Sequence, residues 1–232
     1  LTLDPNVRDW LRASIRQGTA TDVKIAVAGD LADFPFADSR KGQFLVTFKV
    51  AGVTLDYADG WPEISGIDGE VRFDGPGMAV RATRGRIFDA VAGPVEADIP
   101  DLGADHPLLT IEGEATGATG EFLRFVEKSP VAGWIGHFTD GVTATGAGKL
   151  ALRFTLPLSK ADGVEVAGDY AFLDNEVRIP GVPALAHVGG HLVFTEKATT
   201  SRDFVAQALG GPVKIAVTTG DAKGVCVGVS GT

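Results

Sequence analysis

His187 and His191 stand four positions apart in the stretch GVPALAHVGGHLVF. On a helix this H-x3-H spacing would put two imidazoles side by side for a metal. Gly189-Gly190 between them argues for a strand, where the two rings share a face but lie about 13 Å apart, too far for one ion. The expectation is two polar edge or turn residues and no metal. His106 and His137 have no partner at ligand spacing, and Cys226 is the only cysteine. A lone cysteine excludes an intramolecular disulfide and a cysteine-based zinc site.

Carboxylate pairs such as Asp68 with Glu70, or Asp98 with Asp101, have the residue types of a glycosidase acid and base. That chemistry needs two carboxyls about 5 to 10 Å apart in a cleft. With 30 acidic residues in the chain such pairs arise cheaply. There is no Gly-x-Ser-x-Gly elbow. Gly146-Ala147-Gly148-Lys149 lacks the lead-in and the Ser or Thr of a phosphate loop, so its glycines are expected to open the strand at Leu150. The net charge of −9 disfavours a nucleic-acid partner, which requires a basic face, and disfavours docking on anionic headgroups. No residue set points to a catalyst or a cofactor.

The elements behind these residues are better defined than any chemistry. Residues 5–16, PNVRDWLRASIR, place Val7, Trp10, Leu11 and Ile15 on one helical face, with Asp4-Pro5 as the start and Gly18 as the stop. Residues 120–128, GEFLRFVEK, form a second short helix ended by Ser129-Pro130. Nearly everything else alternates with period two. Phe44, Val46, Phe48 and Val50 oppose Thr47 and Lys49, Val71 and Phe73 oppose Glu70 and Arg72, and Leu150, Leu152, Phe154 and Leu156 oppose Ala151 and Arg153. Val23, Ile25 and Val27 follow the same rule, as do Leu192 and Phe194. Turn signals at Asp59-Gly60, Asp68-Gly69, Asp140-Gly141 and Asp162-Gly163 separate the runs, and 31 glycines among 232 residues agree with many turns. Clean alternation means one buried and one wet face, hence antiparallel sheet.

The punctuation is written twice. Pro62 and Pro183 are 121 positions apart, as are Gly69 with Gly190 and Phe73 with Phe194. Phe34-Pro35-Phe36 matches Leu156-Pro157-Leu158, and Gly93-Pro94 matches Gly211-Pro212, at nearly the same offset. Two tandem units are expected, 1–115 and 116–232, each a short helix followed by a strand meander and the second continuous with the first. Trp10, Trp61 and Trp134 fall at element boundaries and read as staples between helix and sheet. Two short helices are little cover for so many apolar strand faces, which implies an elongated, half-open groove.

In order along the chain, Trp10-Leu11 with Gly18, Phe34-Pro35-Phe36, Gly42 with Phe44, and Asp59-Gly60-Trp61-Pro62 before Gly69 and Phe73 resemble the YhdP family of AsmA-like proteins of the Gram-negative envelope. Ser129-Pro130, Gly146 with Gly148, Leu156-Pro157-Leu158 and Leu209-Gly210-Gly211-Pro212 extend the resemblance over essentially the whole chain. The resemblance implies an internal periplasmic segment of a longer protein, held in the inner membrane by an anchor outside this chain, that conducts phospholipid towards the outer membrane. It implies a long curved sheet folded around an apolar channel. The family has no catalytic motif to transfer.

The fold expected is therefore mainly β, with curved antiparallel sheets of two tandem repeats, groove-like, and about two short helices. The expected groove-lining residues are Phe44, Val46, Phe48, Val71, Phe73, Leu150, Leu152, Phe154, Leu156, Leu192 and Phe194, and the partner is phospholipid, with no cofactor and no nucleic acid. Lys49, Arg72 and Arg153 would face water. The sequence leaves two other readings open: a non-enzymatic spacer or protein-interaction module, and a carbohydrate-active domain.

Overall fold

The computed structural model describes residues 5–158, 163–219 and 225–231. Among them a single antiparallel sheet of twelve strands runs in strict chain order, each strand bonded to the one before it and the one after. A helix α1 (Pro5–Ser14) leads into β1 (Ile15–Gly29), β2 (Gly42–Leu55) and β3 (Ile64–Asp74). Next come β4 (Gly77–Ile87), β5 (Ala90–Ile99) and β6 (Leu108–Ala118). Helices α2 (Thr119–Glu127) and α3 (Val131–Trp134) interrupt the meander before β7 (Thr143–Pro157) and β8 (Glu165–Arg178). The last strands are β9 (Leu185–Thr195), β10 (Thr199–Ala208), β11 (Gly211–Thr219) and β12 (Val225–Gly231).

Both helices expected from sequence are present within two residues of their expected ends. α3, a single turn, was not expected; Ser129 sets it up by accepting the Val131 N–H on its hydroxyl. Asp4, Asp162 and the side chains of Val7 and Leu11 lie outside the described residues. The sheet passes unbroken through residues 115 and 116, which are adjacent residues of β6. The repeated marks recur six strands apart: Pro62 precedes β3 and Pro183 precedes β9, while Phe73 and Phe194 lie near the ends of those strands.

The glycine excess has a second explanation besides turns. Register shifts cross the sheet in a line near the end of the strands that carries the helices. At several of these bulges a left-handed residue sits in mid-strand, namely Asp22, Gly52, Gly93, Gly146, Asp174 and Asp203. At Gly93 a Cβ would meet the Thr83 carbonyl at 2.4 Å, and at Gly146 it would meet the Asn175 amide at 2.7 Å, so no larger residue fits either backbone. Bulges sharpen twist and bend a strand, and a line of them bends the whole sheet.

The result is an open, curled sheet with an uneven core. Val177, Leu185, Val188, Ala206, Ile215 and Val217 form one buried cluster on β8, β9, β10 and β11, with Phe172, Leu192 and Phe204 packed against it. Fewer apolar side chains are buried in the first half: Val71 and Ala90 on the strands and Phe36 in the β1–β2 connection. β1 is an outer strand, and all 15 of its residues are exposed. Among the described residues no helix is long and apolar enough to cross a membrane.

Candidate functional site

Directly paired residues of an antiparallel sheet project to the same side, so the register itself shows which side chains share a face. One ladder runs Ile25, Val46, Phe73, Met78, Ile99 across β1 to β5. The next runs Phe48, Val71, Val80, Ala97, Ile111, Phe154, Val166 across β2 to β8. A third, through Val50, Gly69, Ala82, Val95, Gly113, Leu152, Gly168 and Phe194, reaches β9. Leu150 pairs with Tyr170 and Tyr170 with Leu192, while Leu156 pairs with Leu109 and Phe44 with Val27. All eleven residues singled out in the sequence thus occupy one face of one sheet. Val71 is buried and the other ten are half-buried. Among the described residues no second sheet covers this face, so its own curl supplies most of that partial burial. The lower exposure of this face, beside a reverse side whose Lys49, Glu70, Arg81, Glu96, Glu112 and Arg153 are all exposed, assigns it to the inner, concave side of the curl.

The reverse side carries the charges. Lys49, Glu70, Arg81, Glu96, Glu112 and Arg153 form one continuous ladder there. Arg81 Nε binds Glu96 Oε1 at 3.2 Å, Lys149 Nζ binds Glu114 Oε2 at 2.9 Å, and Lys49 Nζ binds Asp22 Oδ2 at 2.8 Å. Such exposed pairs contribute little to stability, on the order of 0 to 1 kcal/mol each. Their consequence is that the convex side stays hydrated while the concave side holds almost only hydrocarbon.

One end of the concave face is occupied by the chain itself. Phe122 of α2 meets Tyr170 of β8 edge-on at 5.1 Å, and Tyr170 meets Phe172 at 4.8 Å. Three positions along α2, Phe125 packs on Trp61 of the β2–β3 connection at 5.9 Å, and Trp61 touches Trp134 of α3 at 5.6 Å. The Trp10 indole N–H donates to the Tyr57 carbonyl at 3.1 Å, tying α1 to the same connection. All three tryptophans therefore link helices to this end, and burial raises the Tyr57 phenol to a pKa of about 12. At the other end Phe36 is buried against the paired Gly29 and Gly42, and Phe34 meets Phe44 at 5.0 Å.

The start of α2 is fixed by a buried polar cluster that sequence reading missed. The Tyr170 hydroxyl donates to Thr119 Oγ1 at 2.8 Å, and the Asn175 amide donates to the same oxygen at 2.7 Å and to the Thr145 carbonyl at 2.8 Å. Asn175 is wholly inaccessible, and its Oδ1 accepts the Leu173 N–H at 2.8 Å. Gly148 makes the cluster possible, because a Cβ there would overlap the Tyr170 hydroxyl. The only sequence signal was an asparagine amid strand-forming residues, beside the acidic Asp174.

The residues with catalytic or metal-binding types do not converge. His187 Nδ1 lies 2.8 Å from Asp174 Oδ1 and His191 Nδ1 2.6 Å from Asp169 Oδ1, so each ring has its own carboxylate. Asp68 accepts the Gly52 N–H and, at 2.6 Å, Arg84 Nε. These contacts, the backbone hydrogen bond foremost, lower its pKa, opposite to what a general acid needs. Gly146 forms a mid-strand bulge and does not open β7, and Lys149 is engaged by Glu114. Among the described residues no group of three or more His, Cys, Asp or Glu is placed to hold a metal ion.

Fold and face together define a two-sided β-meander whose hollow side is lined with hydrocarbon. A family model described as YhdP protein matches residues 1–232, and the chain belongs to that family. Membership is consistent with a protein related to lipid transport, and the family is not a known enzyme family. Comparison with curated proteins and with solved structures gave no match.

Proposed function

We propose that this chain is a periplasmic segment of a bridge-like lipid transport protein, carrying phospholipid acyl chains along its concave face between the inner and outer membranes. The observation that carries the reading is the register: apolar ladders pass without a charged residue from β2 to β8, and their reverse side is a ladder of ion pairs. A diacyl lipid hides about 30 methylenes, whose exposure at ~0.8 kcal/mol each would cost on the order of 24 kcal/mol. Free passage through water is thereby prohibited. A trough that offers Val, Leu and Phe at every strand step removes that cost without a deep binding minimum, so the chain can slide. Selectivity would come from width and depth, and the headgroup would stay in water along the open side.

The test is native mass spectrometry of the protein extracted gently from membranes. Phospholipid copurifying with the folded chain supports the proposal. A lipid-free chain that also fails to take up phosphatidylethanolamine from vesicles overturns it in favour of a spacer.

A further inference from the structure

The helical insertion between β6 and β7 covers apolar surface that the lipid reading assigns to cargo, and its attachments are unequal. Its start is held by Thr119 in the buried cluster with Tyr170 and Asn175. Its far side is held by ring contacts, Phe125 and Trp134 on Trp61 and Arg124 over Phe88, and by one exposed hydrogen bond of 3.4 Å from the Asp89 N–H to Glu121 Oε2. Trp134 itself remains 66% exposed. Hydrogen bonds from the Trp134, His137, Asp140 and Val142 amides all stay within residues 130–142, so the segment can shift as a unit without opening them. Gly136 and Gly141, both with positive φ, lie between α3 and β7.

Resting on the lipid reading, we propose that α2–α3 is a displaceable cover. Phe122 and Phe125 stand in for hydrocarbon on the concave face, and an acyl chain reaching Tyr170 replaces them while Thr119 keeps the helix start in place. Exchange of one apolar cover for another leaves nearly the same area buried, so the two arrangements lie close in energy and cargo can shift their populations. A wall meant to be permanent would be expected to carry buried polar ties on both sides. Here the described hydrogen bonds that join the segment to β8 gather at its start.

The experiment uses one chain in two states. In a Cys226→Ser background, Trp61→Cys with Trp134→Cys removes the ring contact, and a short bismaleimide then restores it as a covalent bridge. Uptake of NBD-labelled phosphatidylethanolamine from phosphatidylethanolamine vesicles is measured for both, with circular dichroism to verify the sheet. The unbridged form should take up lipid at least threefold faster than the bridged form. Trp134→Ala alone, at an exposed site that leaves the fold intact, should also exceed the unsubstituted chain. Equal rates in bridged and unbridged forms would make the insertion a fixed wall and overturn the proposal while leaving the lipid reading in place. No uptake by any form, the unsubstituted chain included, would remove the lipid reading and the cover with it.

Discussion

The amide of Asn175 in β8 donates to the hydroxyl oxygen of Thr119 at the first turn of α2, 2.7 Å away and shielded from water. Fifty-six positions separate the two residues, and this bond, with the one from the Tyr170 hydroxyl to the same oxygen, ties the start of the helical insertion to the second half of the sheet. Asn175→Ala leaves the Thr145 carbonyl and the Leu173 N–H without their partners. Each orphaned buried group costs about 1–3 kcal/mol, and a clear drop in the urea midpoint is expected. Asn175→Asp keeps the shape and the acceptor but sets a buried carboxylate against the Thr145 carbonyl, and should lower the midpoint at least as far as Asn175→Ala.

Phe154 and Arg153 are neighbours in sequence and lie on opposite sides of β7. Phe154 belongs to the apolar ladder, whereas Arg153 faces Glu112 at 3.8 Å on the hydrated side. Phe154→Asp should suppress uptake of labelled phosphatidylethanolamine at least fivefold, since a carboxylate in hydrocarbon is costly. Arg153→Asp should leave uptake within a factor of two. Far-ultraviolet circular dichroism of both variants reads whether the sheet survives.

Gly168 pairs with Phe194, and a Cβ at Gly168 would lie 2.2 Å from the end of that ring. The tip of the ring therefore lies directly over the Gly168 backbone. Gly168→Ala forces it off, at a cost of about 1–3 kcal/mol for overpacking. Thermal unfolding should show the loss, and Gly168→Ala with Phe194→Leu should recover part of it.

The phenol of Tyr57 is raised to about 12 by burial. An unfolded tyrosine ionises near pH 10, so between roughly pH 10 and 12 the unfolded chain gains a charge that the folded chain resists. The stability contributed by the neutral phenol is complete below pH 10 and lost as the pH rises through 12. Burial raises the Tyr170 phenol as well. Tyr57→Phe should make stability less steeply dependent on pH in that window without abolishing the slope.

Much of the fold was legible because period-two alternation is a local signal. Each of the eleven apolar residues could be assigned to one side of its own strand from its immediate neighbours. That separate strands would present those sides to one common face followed from antiparallel pairing with short turns. What could not be read was the bend. Gly52, Gly93 and Gly146 look like turn glycines in sequence, and only cross-strand register shows them in mid-strand at bulges. The Thr119, Tyr170 and Asn175 cluster was equally hidden, since its members are distant in the chain and ordinary one by one. Trp61 and Trp134 were readable as staples but not as partners, because contact between loops has no period.

The alternation of faces is tested most directly by photo-crosslinking of the chain incubated with phospholipid vesicles. A benzophenone amino acid placed in turn at Phe48, Phe73 and Phe154, and at the adjoining Lys49, Arg72 and Arg153, should yield phospholipid adducts at the first three positions only. Adducts distributed equally over the six, or confined to the charged side, would contradict the account.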